Sequence, residues 1–341
     1  MGIKKLRIGM VTPWGKVRCG IRTYSENLIN SLVKYGVEVY VVRWPRFGVL
    51  TSEIVGNIVD KIPKDKIDVL HVQHEYGLFK GLDGYFYNLL KDLDVPVVTT
   101  MHAVGNFEID PIIASVSDKV IVHNRFCYKR FGFHDKTVII EHGCLNPISC
   151  PPVDECKRRF GIDPRIPIVG YLGFISKYKG LETLIQAVSM IPDVALLIGG
   201  GYHVEPGTSY IDNLKRWSLQ VLPGRVQWLG YVPDEEMKYV YGAMDLLVYP
   251  SVYVTESGAL LTALSHCKAC ITSNVSPFKE KERKKALVTF KDLDDLVEKI
   301  KYYIKNVDAR RKLEDGARKY AFRYRWDVIA RKHIRLYREL M

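Results

Sequence analysis

Residues 249–273, YPSVYVTESGALLTALSHCKACITS, decide the fold, because two apolar runs at this point enclose a small polar turn that carries one carboxylate. The run 245–249 (DLLVY) reads as a buried strand, and Pro250 and Ser251 break its ladder. Glu256, Ser257 and Gly258 then open a helix whose apolar stripe is Leu260, Leu261 and Leu264, and residues 269–273 return as another strand. A polar turn leading into a helix N-terminus leaves backbone N–H groups without intrahelical acceptors, at the positive end of the helix dipole. Anions dock at such places. The stretch is therefore a candidate phosphate cradle.

Outward from it, the same alternation runs through the chain. Residues 5–12 (KLRIGMVT) form a strand, 13–20 (PWGKVRCG) a glycine-containing loop, and Ile21, Tyr24, Leu28 and Leu32 the inner face of a helix that Gly36 stops. Residues 37–43 (VEVYVVR) are the next strand, which makes this the opening unit of a doubly wound sheet with its loop at the ligand edge. Strands at 68–73, 95–102, 119–123 and 137–142 continue a parallel sheet of five or six strands. His74, Glu75 and His102 fall at carboxyl strand ends, where open α/β sheets bind ligands. The proline-rich 146–152 (NPISCPP) is the expected boundary between domains 1–148 and 149–341. A second alternation follows, with strands at 168–174, 194–198 and 225–229 and helices at 181–191, 210–221 and 235–244. Glycines 199–201 read as a turn.

Composition narrows the function classes. The formal charge of +12 favours anionic company, and much of the excess sits in residues 310–338. With no aromatic strand face or helix-turn-helix beside those cations, nucleic acid is not the expected partner; an anionic membrane face is an option for peripheral contact. No apolar run has transmembrane length, and the start MGIKKLRIGMV lacks the core of a signal peptide, so a cytoplasmic protein is expected. The seven cysteines are a poor disulfide framework, and Cys267 and Cys270 read as small residues between a helix and a strand. The triplets at 92–94 and 292–294 (Asp-x-Asp) precede a strand and open a helix, so no metal is expected. Residues 77–93 (GLFKGLDGYFYNLLKDL) either pack on the sheet or, through Phe79 and Lys80, touch a membrane or lipid-linked acceptor. A dehydrogenase is disfavoured, since no G-x-G-x-x-G follows the first strand.

Several motifs, in order, resemble those of the retaining GT-B glycosyltransferases of family 4. Residues 250–271 are similar to its Pro-Ser, two glutamates eight apart, Ala-Met-Ala and Gly-Lys-Pro-Val-Ile. Aligned without gaps, the glutamates fall on Val254 and Thr262, and Glu256 stands two positions after the first. Residues 173–180 (GFISKYKG) resemble Gly-Arg-x-x-x-x-Lys-Gly: Lys179 and Gly180 match, Phe174 holds the arginine position and Lys177 offers a replacement charge. Residues 225–232 (RVQWLGYV) resemble the base-binding Val-x-Phe-Leu-Gly-x-Val, and Gly20-Ile21 the Gly-Gly-Ile before the first helix, with Cys19 at its first glycine. The closing residues 324–340 match the aromatic-Trp pattern of a final helix on which Trp326, Ile329, Ile334 and Tyr337 pack.

The resemblance implies an α/β protein of GT-B plan: two doubly wound Rossmann-like domains facing a central cleft, the second binding the nucleotide-sugar and its C-terminal helix crossing back. It implies a hexosyltransferase that uses a nucleoside-diphosphate sugar, UDP-linked before GDP-mannose, and a sugar or lipid-linked acceptor, without cofactor. Catalytic expectations are His102, Lys179 and Glu256. Donor-side expectations are Gly20, Phe174, Lys177, Tyr231, Val232, Ser257, Gly258, Ala259 and Thr262. Arg18, His74 and Glu75 are expected on the acceptor side. The rivals are an inactive nucleotide-binding GT-B subunit and a basic nucleic-acid-binding protein.

Overall fold

The computed structural model describes residues 5–17, 19–201 and 209–341. They form two parallel sheets. The first contains β1 (Arg7–Pro13), β2 (Glu38–Trp44), β3 (Val69–His74), β4 (Val97–Met101), β5 (Lys119–Val122) and β6 (Thr137–Ile139), in the order β2-β1-β3-β4-β5-β6. The second contains β7 (Ile168–Leu172), β8 (Ala195–Gly199), β9 (Val226–Gly230), β10 (Leu246–Tyr249), β11 (Cys270–Ser273) and β12 (Val288–Phe290), in the order β12-β11-β10-β7-β8-β9. Both six-stranded sheets agree with the expected doubly wound architecture. β12, a three-residue edge strand, is an addition to the sequence reading.

The contact boundary falls between Gly143 and Cys144, ahead of the proline-rich stretch, and Tyr324–Met341 groups with the first unit. Ile148 N–H donates to Ser265 O at 2.7 Å, which ties the segment after the boundary to the second unit. In the first unit the final helix, Trp326–Glu339, lies along the helix Gly20–Lys34, with Ile329 and Tyr337 fully buried.

Strand order reverses between β1 and β3 in one sheet and between β7 and β10 in the other. At the amino edge of each reversal an aspartate locks the two strands together. Asp68 accepts from Arg7 N at 2.9 Å while its own N–H donates to Arg7 O at 2.7 Å. Asp245 does the same with Ile168, at 2.8 and 2.9 Å. With the amino ends fixed, the loops diverge at the carboxyl edge, where doubly wound sheets hold ligands.

The aromatic stretch after β3 belongs to the core of the first unit. Phe79 is 1% exposed, with its ring 4.3 Å from that of Trp44 and 5.2 Å from that of Phe86. A side chain so enclosed presents no surface to a membrane, so the membrane reading of Phe79 is corrected to packing. Lys80 is exposed and donates to Gly48 O. Among the described residues no helix is long and apolar enough to cross a membrane.

Candidate active site

The two loops flanking the β7/β10 reversal are bonded to each other. Val252 N–H, after β10, donates to Tyr178 O, after β7, at 2.9 Å. Gly180 makes the approach possible: its φ is +66°, and a Cβ there would lie 2.4 Å from Pro250 O. Gly200, at φ +136°, has the same role one strand over, since a Cβ would come 1.8 Å from Gly173 O. Gly199 and Gly200 thus allow close packing at the end of β8.

Lys179 ends the 3-10 turn Lys177–Lys179 on this edge. It is half-buried, with its ammonium 4.7 Å from the Tyr178 ring centre, and its side chain makes no hydrogen bond or ion pair among the described residues. Desolvation without a compensating carboxylate pulls its pKa down to about 8. A lysine that titrates just above neutral pH, at a strand end, is poised to be held fully protonated as an anion arrives. Lys177 beside it is exposed. Phe174, at the family arginine position, is half-buried and its carbonyl accepts from Tyr171 OH at 2.8 Å.

Glu256 is not available as expected. Its carboxylate lies 2.8 and 2.9 Å from Lys281 Nζ through its two oxygens, and Oε1 also accepts from Ser257 N at 2.8 Å. Both side chains are buried, at 7% and 3% exposure. Among the described residues Glu256 pairs with Lys281 and not with Lys179. Ser257 caps the helix Gly258–Ser265 by accepting from Leu260 N at 3.3 Å, and its own N–H is spent on Glu256. The helix N-terminal donors that remain for a ligand are those of Gly258 and Ala259, which have no intrahelical acceptor. Ala259 sits over the β7 loop, its Cβ 2.9 Å from where a Gly173 Cβ would stand. Thr262, at the family's second glutamate, turns its hydroxyl back to Gly258 O at 2.9 Å. Tyr231 is exposed and Val232 buried just past the end of β9.

In the first unit, His102 follows β4 and donates from Nε2 to Gln73 Oε1 at 2.9 Å. Gln73 Nε2 reaches His71 Nε2 at 3.2 Å, which also accepts from Thr100 Oγ1 at 2.7 Å. That leaves the proton of a neutral His71 on Nδ1, donated to Tyr337 OH at 2.7 Å. Burial, with His123 and His142 nearby, holds the His102 pKa well below the usual range, so the ring is a neutral hydrogen-bonding group. His74 is fully buried and bonded to Asp83 at 2.7 Å, inside a cage of Tyr76, Phe79 and Tyr87. An acceptor cannot reach it, so its expected acceptor-side role becomes a structural one. Glu75 is half-buried at the start of the turn Tyr76–Phe79. Gly20 opens its helix into empty space, with nothing within 4 Å of a built Cβ. Arg18 lies outside the described residues.

Residues 153–320 match the family model described as glycosyl transferases group 1. They are a group 1 glycosyltransferase domain. An O-antigen chain mannosyltransferase B of Escherichia coli is 31% identical over 114 residues, 32% of this chain and 29% of that protein. The chain matches under a third of the length of the first curated relatives. Among solved structures, sucrose-phosphate synthase of Thermosynechococcus elongatus aligns with TM-score 0.79 at 19% identity, covering 98% of this chain and 99% of that one. Anabaena HepE, in complex with UDP and glucose, aligns with TM-score 0.80 at 16% identity, covering 98% and 100%. These structures share the GT-B fold with this chain.

Within the group 1 domain, sequence reasoning missed Lys281. It lies on the charge-rich helix Ser276–Arg283, where Phe278 and Lys281 are the buried residues three apart. That inward i, i+3 spacing is a weak signal that one of many cations faces the core.

Proposed function

We propose that the chain is a retaining glycosyltransferase that moves a hexosyl group from a nucleoside-diphosphate sugar, UDP-linked before GDP-mannose, to a sugar or lipid-linked acceptor. The observation that carries this reading is Lys179, desolvated and without an acid partner, beside the glycine-mediated contact of two loops at the β7/β10 reversal. A diphosphate leaving group needs a cation and fixed donors, and Lys179 with the Gly258 and Ala259 N–H groups offers both. Lys177 adds a second, solvent-facing charge, and Tyr231 and Val232 take the base. Glu256 acts indirectly, holding the start of the Gly258–Ser265 helix through Ser257 N and Lys281. His102 is the neutral sugar-facing group. The group 1 domain and the UDP and glucose bound to HepE support the donor class.

Lys179→Ala tests it. We expect kcat/KM for transfer to fall more than tenfold, about 1.4 kcal/mol. In the wild type, nucleoside-diphosphate affinity falls as pH rises from 7 to 9 and the free lysine loses its proton, whereas the variant is flat over that range. Transfer within about threefold of wild type contradicts the assignment. Nucleotide binding without turnover would favour the inactive-subunit alternative, which the occupied Glu256 carboxylate also fits.

A further inference from the structure

A groove of about 360 Å3 opens on the first unit between the loop after β1 and the segment after β2. Its walls are Val17, Phe47, Ile54 and Ile58, and its charged members are Arg43 and Arg46. No carboxylate lines it, and neither arginine has an acid partner among the described residues. Arg46 Nε is buried without a hydrogen-bond partner, its guanidinium 5.5 Å from the Phe47 ring centre.

The groove is held open from below. Trp44 Nε1 donates to Leu78 O at 3.0 Å, and Lys80 binds Gly48 O, so the loop carrying Arg46 and Phe47 is fastened at both ends to the core. Gly15, at φ +92°, brings the β1 loop to Arg43, where a Cβ would stand 3.8 Å from the guanidinium carbon. A second groove, beside the last helix, differs in charge: its Glu339 is bonded to Arg335 at 3.0 Å. The first has no carboxylate in its lining, so its arginines have no competing acid beside them.

We infer that this groove binds a phosphate carried directly on an apolar chain, as the head of an amphiphilic acceptor. The inference rests on the transferase reading for the word acceptor, not for the binding itself. Arg43 and Arg46 take the phosphate through their terminal guanidinium N–H groups, and Phe47, Ile54 and Ile58 take the first methylenes of the chain. Two charges alone would hold any phosphate weakly in water; the adjoining apolar wall supplies the selectivity.

Calorimetric titration of the full chain with dodecyl phosphate below its micelle concentration tests this. Binding is expected, weakened at least tenfold in Arg43→Gln/Arg46→Gln and about tenfold in Ile54→Asn, with melting curves of the variants matching wild type. Inorganic phosphate is expected to bind at least tenfold more weakly than dodecyl phosphate, and dodecyl maltoside not measurably. Equal affinity of wild type and the double arginine variant overturns the site, as does equal binding of dodecyl maltoside. Capture by phosphatidic acid vesicles with no binding of monomeric dodecyl phosphate also overturns it, since a bilayer surface would then be the ligand. A UDP titration run alongside reports on the donor site of the other unit, so loss of UDP binding with dodecyl phosphate binding intact would remove the transferase reading and leave this one standing.

Discussion

Lys179 and Glu256 bear opposite charges at one sheet edge, and their surroundings differ as much as their signs. Lys179 has no carboxylate partner among the described residues and its pKa is pulled down to about 8, while Glu256 is locked to Lys281 in a buried pair. Breaking a buried pair by removing one partner leaves an uncompensated charge and costs about 3–5 kcal/mol. Lys281→Met is expected to lower the unfolding free energy by that amount in urea titration, and Glu256→Gln combined with it to recover most of the loss. A change below about 1 kcal/mol for Lys281→Met contradicts the buried pairing. Glu256 itself was legible in the sequence as the single acid in a polar turn, but its partner was not. The ion pair joins positions 256 and 281 across an intervening strand, and helix periodicity marks Lys281 as inward without naming what it meets.

The elements were legible wherever packing follows from composition. Continuous apolar runs such as 245–249 and 168–172 have one stable home, the middle of a parallel sheet, and both lie beside a reversal of strand order. β12 escaped because three residues carry no period. The inner face of the final helix was readable from Trp326, Ile329, Ile334 and Tyr337, all buried. What holds it was not: His71 sits inside an apolar strand, and its partner Tyr337 is 266 residues away. That polar layer makes the element acid-sensitive. Burial lowers the pKa of His71 and His102 well below the usual range and that of His333 to about 4, whereas the unfolded chain takes up these protons near pH 6.5. Below pH 6.5 the unfolded state therefore binds more protons, so their contribution is complete above that pH and is lost as pH falls toward 4. Each histidine contributes a slope of up to about 1.4 kcal/mol per pH unit. The urea midpoint is expected to drop steadily from pH 6.5 to 4.5, and less steeply in His333→Gln; a flat profile over that range contradicts a neutral buried cluster.

At the scale of the molecule, the fold places two strand-order reversals in one chain, and each unit has cations without an acid partner among the described residues at or beside the carboxyl edge of its sheet. The first unit has Arg43 and Arg46, and the second has Lys179. The motif order along the sequence led to the second edge, since glycine, lysine and helix start are local signals. It did not lead to the first, where the groove is assembled from residues 17 to 58 on two loops and a helix. It also overvalued His74, because position at a strand end does not say which way a ring turns. The central claim is that the edge at Lys179, Gly258 and Ala259 binds a nucleoside diphosphate. Thermal shifts with UDP, GDP, ADP, CMP and dTDP, without added metal, test it most directly. One base should raise the melting temperature, by the equivalent of about 2.7 kcal/mol at one hundred times its dissociation constant, and the rise should fall by about half or more in Lys179→Ala. No shift with any of the five, or an undiminished shift in Lys179→Ala, would contradict the account.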